Sequence, residues 1–168
     1  ISMSGSSFGA RIVMGSLELL AGGRLGGYQL AARNDRRPRH VDAVLMGATF
    51  DNDDLLPGQP FGRALTQVNR LLVFTNQRDI ALKVYRFLYG RRSGRTAIGM
   101  TGPVAAGRLG GHGDKIATRE VSGFVGRNHG AKPYFESPIT LKFMRPYLLS
   151  PPPESAVTKA IGSPAEVP

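Results

Sequence analysis

The chain has 168 residues, enough for one domain with a buried core, and its 41% hydrophobic and 20% charged residues are an ordinary globular balance. The absence of cysteine excludes disulfides, thiolate zinc sites and cysteine nucleophiles, and no apolar run approaches the roughly 18 residues that a membrane-spanning helix needs. A formal charge of +10, from 22 Lys and Arg against 12 Asp and Glu, attracts anions of many kinds without selecting one. The arginines fall in scattered loop groups (Arg33, Arg36, Arg37 and Arg39; Arg91, Arg92 and Arg95), with no aromatic platform between them, so no specific nucleic-acid partner is expected.

In chain order, Ile1–Ser4 reads as the end of a buried strand. No turn or polar lead-in precedes it, so the sequence is expected to be part of a larger fold. No charged leader or cleavage site marks a signal peptide, which suits a cytoplasmic location without requiring it. Phe8, Ile12, Val13, Leu17, Leu19 and Leu20 approximate helical spacing, and Gly22 and Gly23 end that helix. Gly23–Pro38 is rich in Gly and Arg and reads as a loop with a short helical piece. Val41–Thr49 is a continuous apolar run, as expected of a strand covered on both faces. A polar, Pro-containing loop follows over Asp51–Phe61. Leu71–Thr75 is a second such strand, Ile80–Tyr89 a helix closed by Gly90, Ser93–Gly113 a mobile Gly-rich stretch and Ile116–Val121 a last, weaker strand. Pro138–Leu149 predicts a terminal helix, and Ser150–Pro168 has too little apolar content to fold. Residues 1–149 therefore form one α/β unit, a parallel sheet of about four strands with flanking helices, and 150–168 a Pro-rich tail. The peptide GRLGG occurs at Gly23–Gly27 and Gly107–Gly111, but its neighbours do not match, so it is loop composition and no repeat.

The chemistry centres on Gly5-Ser6-Ser7-Phe8-Gly9, which fits G-x-S-x-G with a strand before it and a helix after it. A strand-to-helix turn this tight favours small residues on both sides. It projects the Ser7 hydroxyl from the end of the sheet, and the helix N-terminus places partial positive charge where an oxyanion would develop. The backbone N–H of Phe8 is the natural donor to that oxyanion.

ISMSGSSFGARIV resembles the nucleophile elbow of the α/β-hydrolase superfamily, and the order of elements down to Leu149 is similar. The resemblance implies a Ser–acid–His order along the chain, with the acid after a late strand and the histidine after the last one. Asp79, four residues past the strand end at Thr75, matches the acid; it is also well placed to cap the next helix. Asp51, Asp53 and Asp54 follow the previous strand and compete for the role. Their run DNDD lacks the spaced ligands and glycine of a calcium loop. His129, between Gly126 and Gly130 after the last strand, matches the base, and neutral imidazole suits that work near pH 7. His112 precedes the last strand and ranks second, and His40 precedes a strand. Three histidines with neither i, i+4 pairing nor nearby thiols supply no zinc site.

The resemblance implies a serine esterase or lipase-like hydrolase acting on a small-molecule or lipid ester, with catalytic residues Ser7, Asp79 and His129, Phe8 at the oxyanion and no cofactor. It also implies a partial fold. The N-terminal strands, their helices and the second oxyanion donor would lie ahead of Ile1, so the elbow strand would form a sheet edge and these residues alone would be weakly active or inactive. Two other readings stay open, a catalytically silent hydrolase-like structural or interaction domain and a basic nucleic-acid-binding module.

Overall fold

The apolar runs near 44 and 72 become neighbouring strands because neither has a polar face to show to water. In the computed structural model, which describes residues 1–30, 41–89, 95–104 and 106–149, they are β4 (Val41–Met46) and β5 (Val68–Thr75), paired in parallel in the middle of a four-stranded sheet. The outer strands are β1 (Ser2–Ser6) beside β4 and β6 (Ile116–Glu120) beside β5. Every pairing is parallel, so all four strands point the same way and their C-terminal ends share one edge of the sheet. The chain is α/β in class.

Period-two alternation divides the core. Ala43, Leu45, Leu71 and Val73 face one layer, where they meet Ala10, Val13, Met14 and Leu17 of α1 (Phe8–Leu20) together with Phe50, Phe61 and Ile98. Val44, Met46, Leu72 and Phe74 face the other, against Val125, Tyr134 and Met144. Those three belong to α4 (Ser122–Val125), α5 (Lys132–Glu136) and α6 (Pro138–Leu148). The remaining helices are α2 (Ile80–Leu88) and the single turn α3 (Ile98–Thr101). Among the described residues no helix is long and apolar enough to cross a membrane.

The helix after the glycine-bracketed serine runs over Phe8–Leu20, as its spacing predicts, and it ends as its glycines require. Gly22 adopts φ 79 and donates to Leu19 O at 3.0 Å, while Gly23 N–H reaches Glu18 O at 2.9 Å, the paired bonds of a Schellman stop.

Several expectations need correction. The first strand extends to Ser6 and is not buried: Ile1 is 71% exposed, and Ser2 and Ser4 are exposed as well. β1 pairs with β4 on one side, and no described strand pairs its other edge. The loop from Gly23 holds no helical piece within its described part. It forms a two-stranded hairpin instead, β2 (Arg24–Leu25) and β3 (Tyr28–Gln29), turning through Gly26 and Gly27, both at positive φ. The Gly-rich stretch from Ser93 is not uniformly loose, since Ala97 and Ile98 are fully buried and α3 is hydrogen-bonded to two strand ends. His40, Gly90, the arginine groups apart from Arg95, and the 150–168 tail lie outside the described residues.

Gly99 shows why α3 sits so close. Its N–H donates to Ala48 O at 3.0 Å and its carbonyl accepts from Asn76 N–H at 2.9 Å. A Cβ there would lie 2.4 Å from Ala48 N and 2.8 Å from Ala48 O, both backbone atoms that cannot rotate away. Gly99→Ala should therefore destabilise the fold by about 1–3 kcal/mol or more, as overpacked sites do. Urea denaturation checks this, and an unchanged midpoint would show that α3 can shift freely.

Candidate active site

Ser7 occupies the one residue of turn between β1 and α1. Its φ of 54 and ψ of −127 make it the single non-glycine at positive φ among the described residues. An L-residue held there is strained by on the order of 1–3 kcal/mol. The conformation persists because Ser7 N–H donates to Met46 O at 3.0 Å and its carbonyl accepts from Ala10 N–H at 3.1 Å. One bond continues the sheet and the other starts the helix. Phe8 is the first helical residue, so its N–H has no acceptor within the helix.

The two bracketing glycines are not equivalent. A Cβ on Gly5 would fall 2.6 Å from Gly9 O and 2.8 Å from the backbone of Ala10, so strand and helix could not approach as they do. At Gly9 a Cβ would meet nothing within 4 Å. The expectation that the turn needs small residues on both sides thus holds at Gly5 and fails at Gly9.

Three loops leaving the same edge of the sheet bring Ser7, Asp79 and His129 together. His129 Nε2 lies 2.7 Å from Ser7 Oγ and its Nδ1 lies 2.8 Å from Asp79 Oδ2. The Asp79 side chain is wholly buried and that of His129 is 25% exposed. Asp79 Oδ1 accepts from Leu82 N–H at 3.1 Å in the first turn of α2. Helix cap and histidine partner, the alternatives for this residue, are both true, one on each oxygen.

His112 lies just before β6, at the N-terminal ends of the strands and the far edge of the sheet from Ser7. Asp51, Asp53 and Asp54 bring ligand atoms within 4.8 Å of one another, yet they are engaged elsewhere. Asp51 accepts from Tyr85 Oη at 3.0 Å, Arg95 bridges Asp51 and Asp53 at 3.4 and 3.1 Å, and Asp54 Oδ2 accepts from Asp51 N–H at 3.0 Å.

Other contributors left weaker marks in the sequence. Asn76 is fully buried and joins the loops bearing Asp79 and His129. Its Nδ2 donates to Gly126 O at 2.8 Å, and its Oδ1 accepts from Arg78 N–H at 3.0 Å. Ser122 Oγ ties the same two loops by accepting from Gln77 N–H at 2.8 Å. Gly47, at φ 52, lies beneath the His129 ring, whose Nδ1 and Cε1 are 3.5 Å from where a Cβ would be. The only sequence signal for these is position, since each stands just past a strand end.

Ser7 and His129 open onto a cavity of about 580 Å³, lined also by Phe8, Thr49, Arg127, Asn128 and one side of α2. The Thr49 hydroxyl is buried there with no partner among the described residues. Comparison with family models, with curated proteins and with solved structures gives no match.

Burial pushes the Asp54 carboxyl up to about 6, and the neighbouring charges of Asp51 and Asp53 add to the effect. The folded protein therefore holds this proton more tightly than the unfolded chain. That stability is fully present below about pH 4 and is lost as pH rises through about 6. Asp54→Asn keeps an oxygen for Asp51 N–H and cannot ionise. Thermal melts across pH 4–7 should show the parent losing stability over this window relative to the variant, and parallel profiles would remove Asp54 as the cause.

Proposed function

We propose that this chain carries the catalytic half of a serine hydrolase of the α/β-hydrolase type, acting on carboxylic esters. The observation that carries the reading is the continuous relay from Asp79 Oδ2 through both His129 nitrogens to Ser7 Oγ, with bonds of 2.8 and 2.7 Å. It begins on a wholly buried carboxylate and ends on a hydroxyl held at a strained turn.

Each residue's part follows from its contacts. Ser7 Oγ attacks the ester carbonyl carbon while its proton passes to His129 Nε2. Asp79 holds Nδ1–H, which keeps Nε2 as the acceptor and stabilises the imidazolium once it forms. The carbonyl oxygen, now negative, receives the Phe8 N–H at the positive end of α1. Collapse of the tetrahedral intermediate breaks the ester C–O bond, and the departing alkoxide takes the proton back from Nε2. Water, deprotonated by the same nitrogen, then releases the acid from Ser7.

The edge of β1 that no described strand pairs supports the second part of the reading. A further parallel strand added there would extend the sheet beyond the serine, and the loop after such a strand would reach the oxyanion from the side opposite Phe8. The N-terminal half of a hydrolase fold would supply both.

Labelling with a fluorophosphonate probe tests the assignment on the protein as its gene encodes it. Ser7→Ala should abolish labelling and ester hydrolysis. His129→Ala should be nearly as damaging, and the double variant little worse than either alone, because residues that act as a unit are not additive. Asp79→Asn retains an oxygen for Leu82 N–H, so α2 stays capped, but it turns an amide N–H toward Nδ1. The ring must then protonate Nε2, the wrong nitrogen, at a loss in kcat of roughly 10⁴-fold. His112→Ala should stay within about tenfold of the parent. Undiminished labelling of Ser7→Ala would overturn the reading.

A further inference from the structure

Helix α2 is amphipathic, its two charged residues Lys83 and Arg86 falling within one turn of sequence and the rest being apolar. The apolar face of such a helix is ordinarily buried. Here only part of it is, where Leu82 and Tyr85 are buried beside Ala97 and Met100. Ile80, Val84 and Leu88 are 54%, 44% and 69% exposed. They recur at i, i+4 and i+8, so they form one straight row along the helix. That row is a wall of the cavity into which Ser7 and His129 open. The row starts one residue after Asp79, at the relay itself, and at 1.5 Å per residue it runs for about 12 Å away from it. Phe8 completes the apolar lining beside the serine.

We infer that this row is a binding track for an unbranched aliphatic chain of the substrate ester, which lies along α2 from the scissile bond at Ser7 towards Leu88. The inference rests on the hydrolase reading above and gives it a substrate class. A polar or charged group would find no hydrogen-bonding partner on Ile80, Val84 or Leu88, whereas each methylene laid over them leaves water together with the side chain it covers. The chain belongs to either the acyl or the alcohol part of the ester, since both leave the carbonyl carbon beside Ser7.

Phosphonylation of Ser7 by a series of n-alkyl fluorophosphonates, from methyl through butyl and octyl to dodecyl, tests the inference. Attack by Ser7 Oγ forms the O–P bond, fluoride departs, and the serine proton goes to His129, so every probe in the series reports the same chemical step. The second-order labelling rate should rise by roughly two- to fourfold per methylene and level off once the chain has passed Leu88. Val84→Asp and Leu88→Asp should each collapse the octyl-to-methyl rate ratio, and the milder Val84→Thr should reduce it in any case where the aspartates fail to fold. Phe87→Asp changes an exposed residue of the same helix that does not line the cavity, and it should keep the parent's ratio. Nitrophenyl esters of increasing acyl length and acetates of increasing alcohol length then identify which part of the ester carries the chain. A rate that does not vary with chain length while methyl fluorophosphonate still labels Ser7 overturns the track and leaves the hydrolase reading intact. Failure of every probe to label Ser7 overturns both.

Discussion

A carboxylate without solvent exposure has to be satisfied by the protein, because an unpaired buried charge costs several kcal/mol. Asp79 meets that demand with one oxygen on the backbone of α2 and the other on the His129 ring. The start of the helix, the direction of the imidazole and the reach of its far nitrogen to Ser7 then follow from a single side chain. Asn76, three residues earlier and equally buried, anchors the loop from behind through Gly126 O and Gly99 O. The sheet makes this economy possible. With all four strands parallel, the loops after β1, β5 and β6 open at one edge, and residues as distant in sequence as Ser7 and His129 come within hydrogen-bond reach.

The strain at Ser7 is supported in the same way from the backbone. A positive φ at a serine would relax if either of its neighbours could move, but the Ser7 N–H is committed to Met46 O and its carbonyl to the first turn of α1. Gly5 lets the helix pack down on the strand, which holds the turn closed. The hydroxyl is therefore positioned by packing alone, which in the proposed hydrolase leaves little reorganisation for the reaction.

Much of this was legible because it depends on local chemistry. The helix over Phe8–Leu20, the central strands and the Gly22–Gly23 stop follow from periodicity and from glycine's access to positive φ. Ser7 could be named from its glycine-bracketed strand-to-helix turn, and Asp79 and His129 because the resemblance to the α/β-hydrolase superfamily implies an acid and a histidine after the later strands. What stayed illegible depends on neighbours distant in sequence. Gly5 and Gly9 read alike in the sequence, yet only the first faces a backbone 2.6 Å away. The exposure of β1 cannot be read from the sequence of β1, since burial of a strand is decided by what lies beside it. The Arg24–Gln29 hairpin was missed because strands of two residues carry no measurable alternation. Asn76 and Ser122 resemble ordinary loop polar residues until the two loops they join are seen together.

The acidic loop after β4 takes its meaning from the helix it supports. Tyr85, on the packed side of α2, donates its hydroxyl to Asp51, and Arg95 neutralises Asp51 and Asp53 from the segment leading into α3. Asp51 therefore fastens the back of α2 through Tyr85 while Asp79 fixes its start. A helix held at its start and along one side has no need of its opposite side for stability. That side is free to remain apolar and exposed, a composition that folding alone would select against in water. On the proposed hydrolase reading the exposed row along α2 serves the substrate in the cavity beside Ser7, and the contacts behind the helix are what leave the row free for that use.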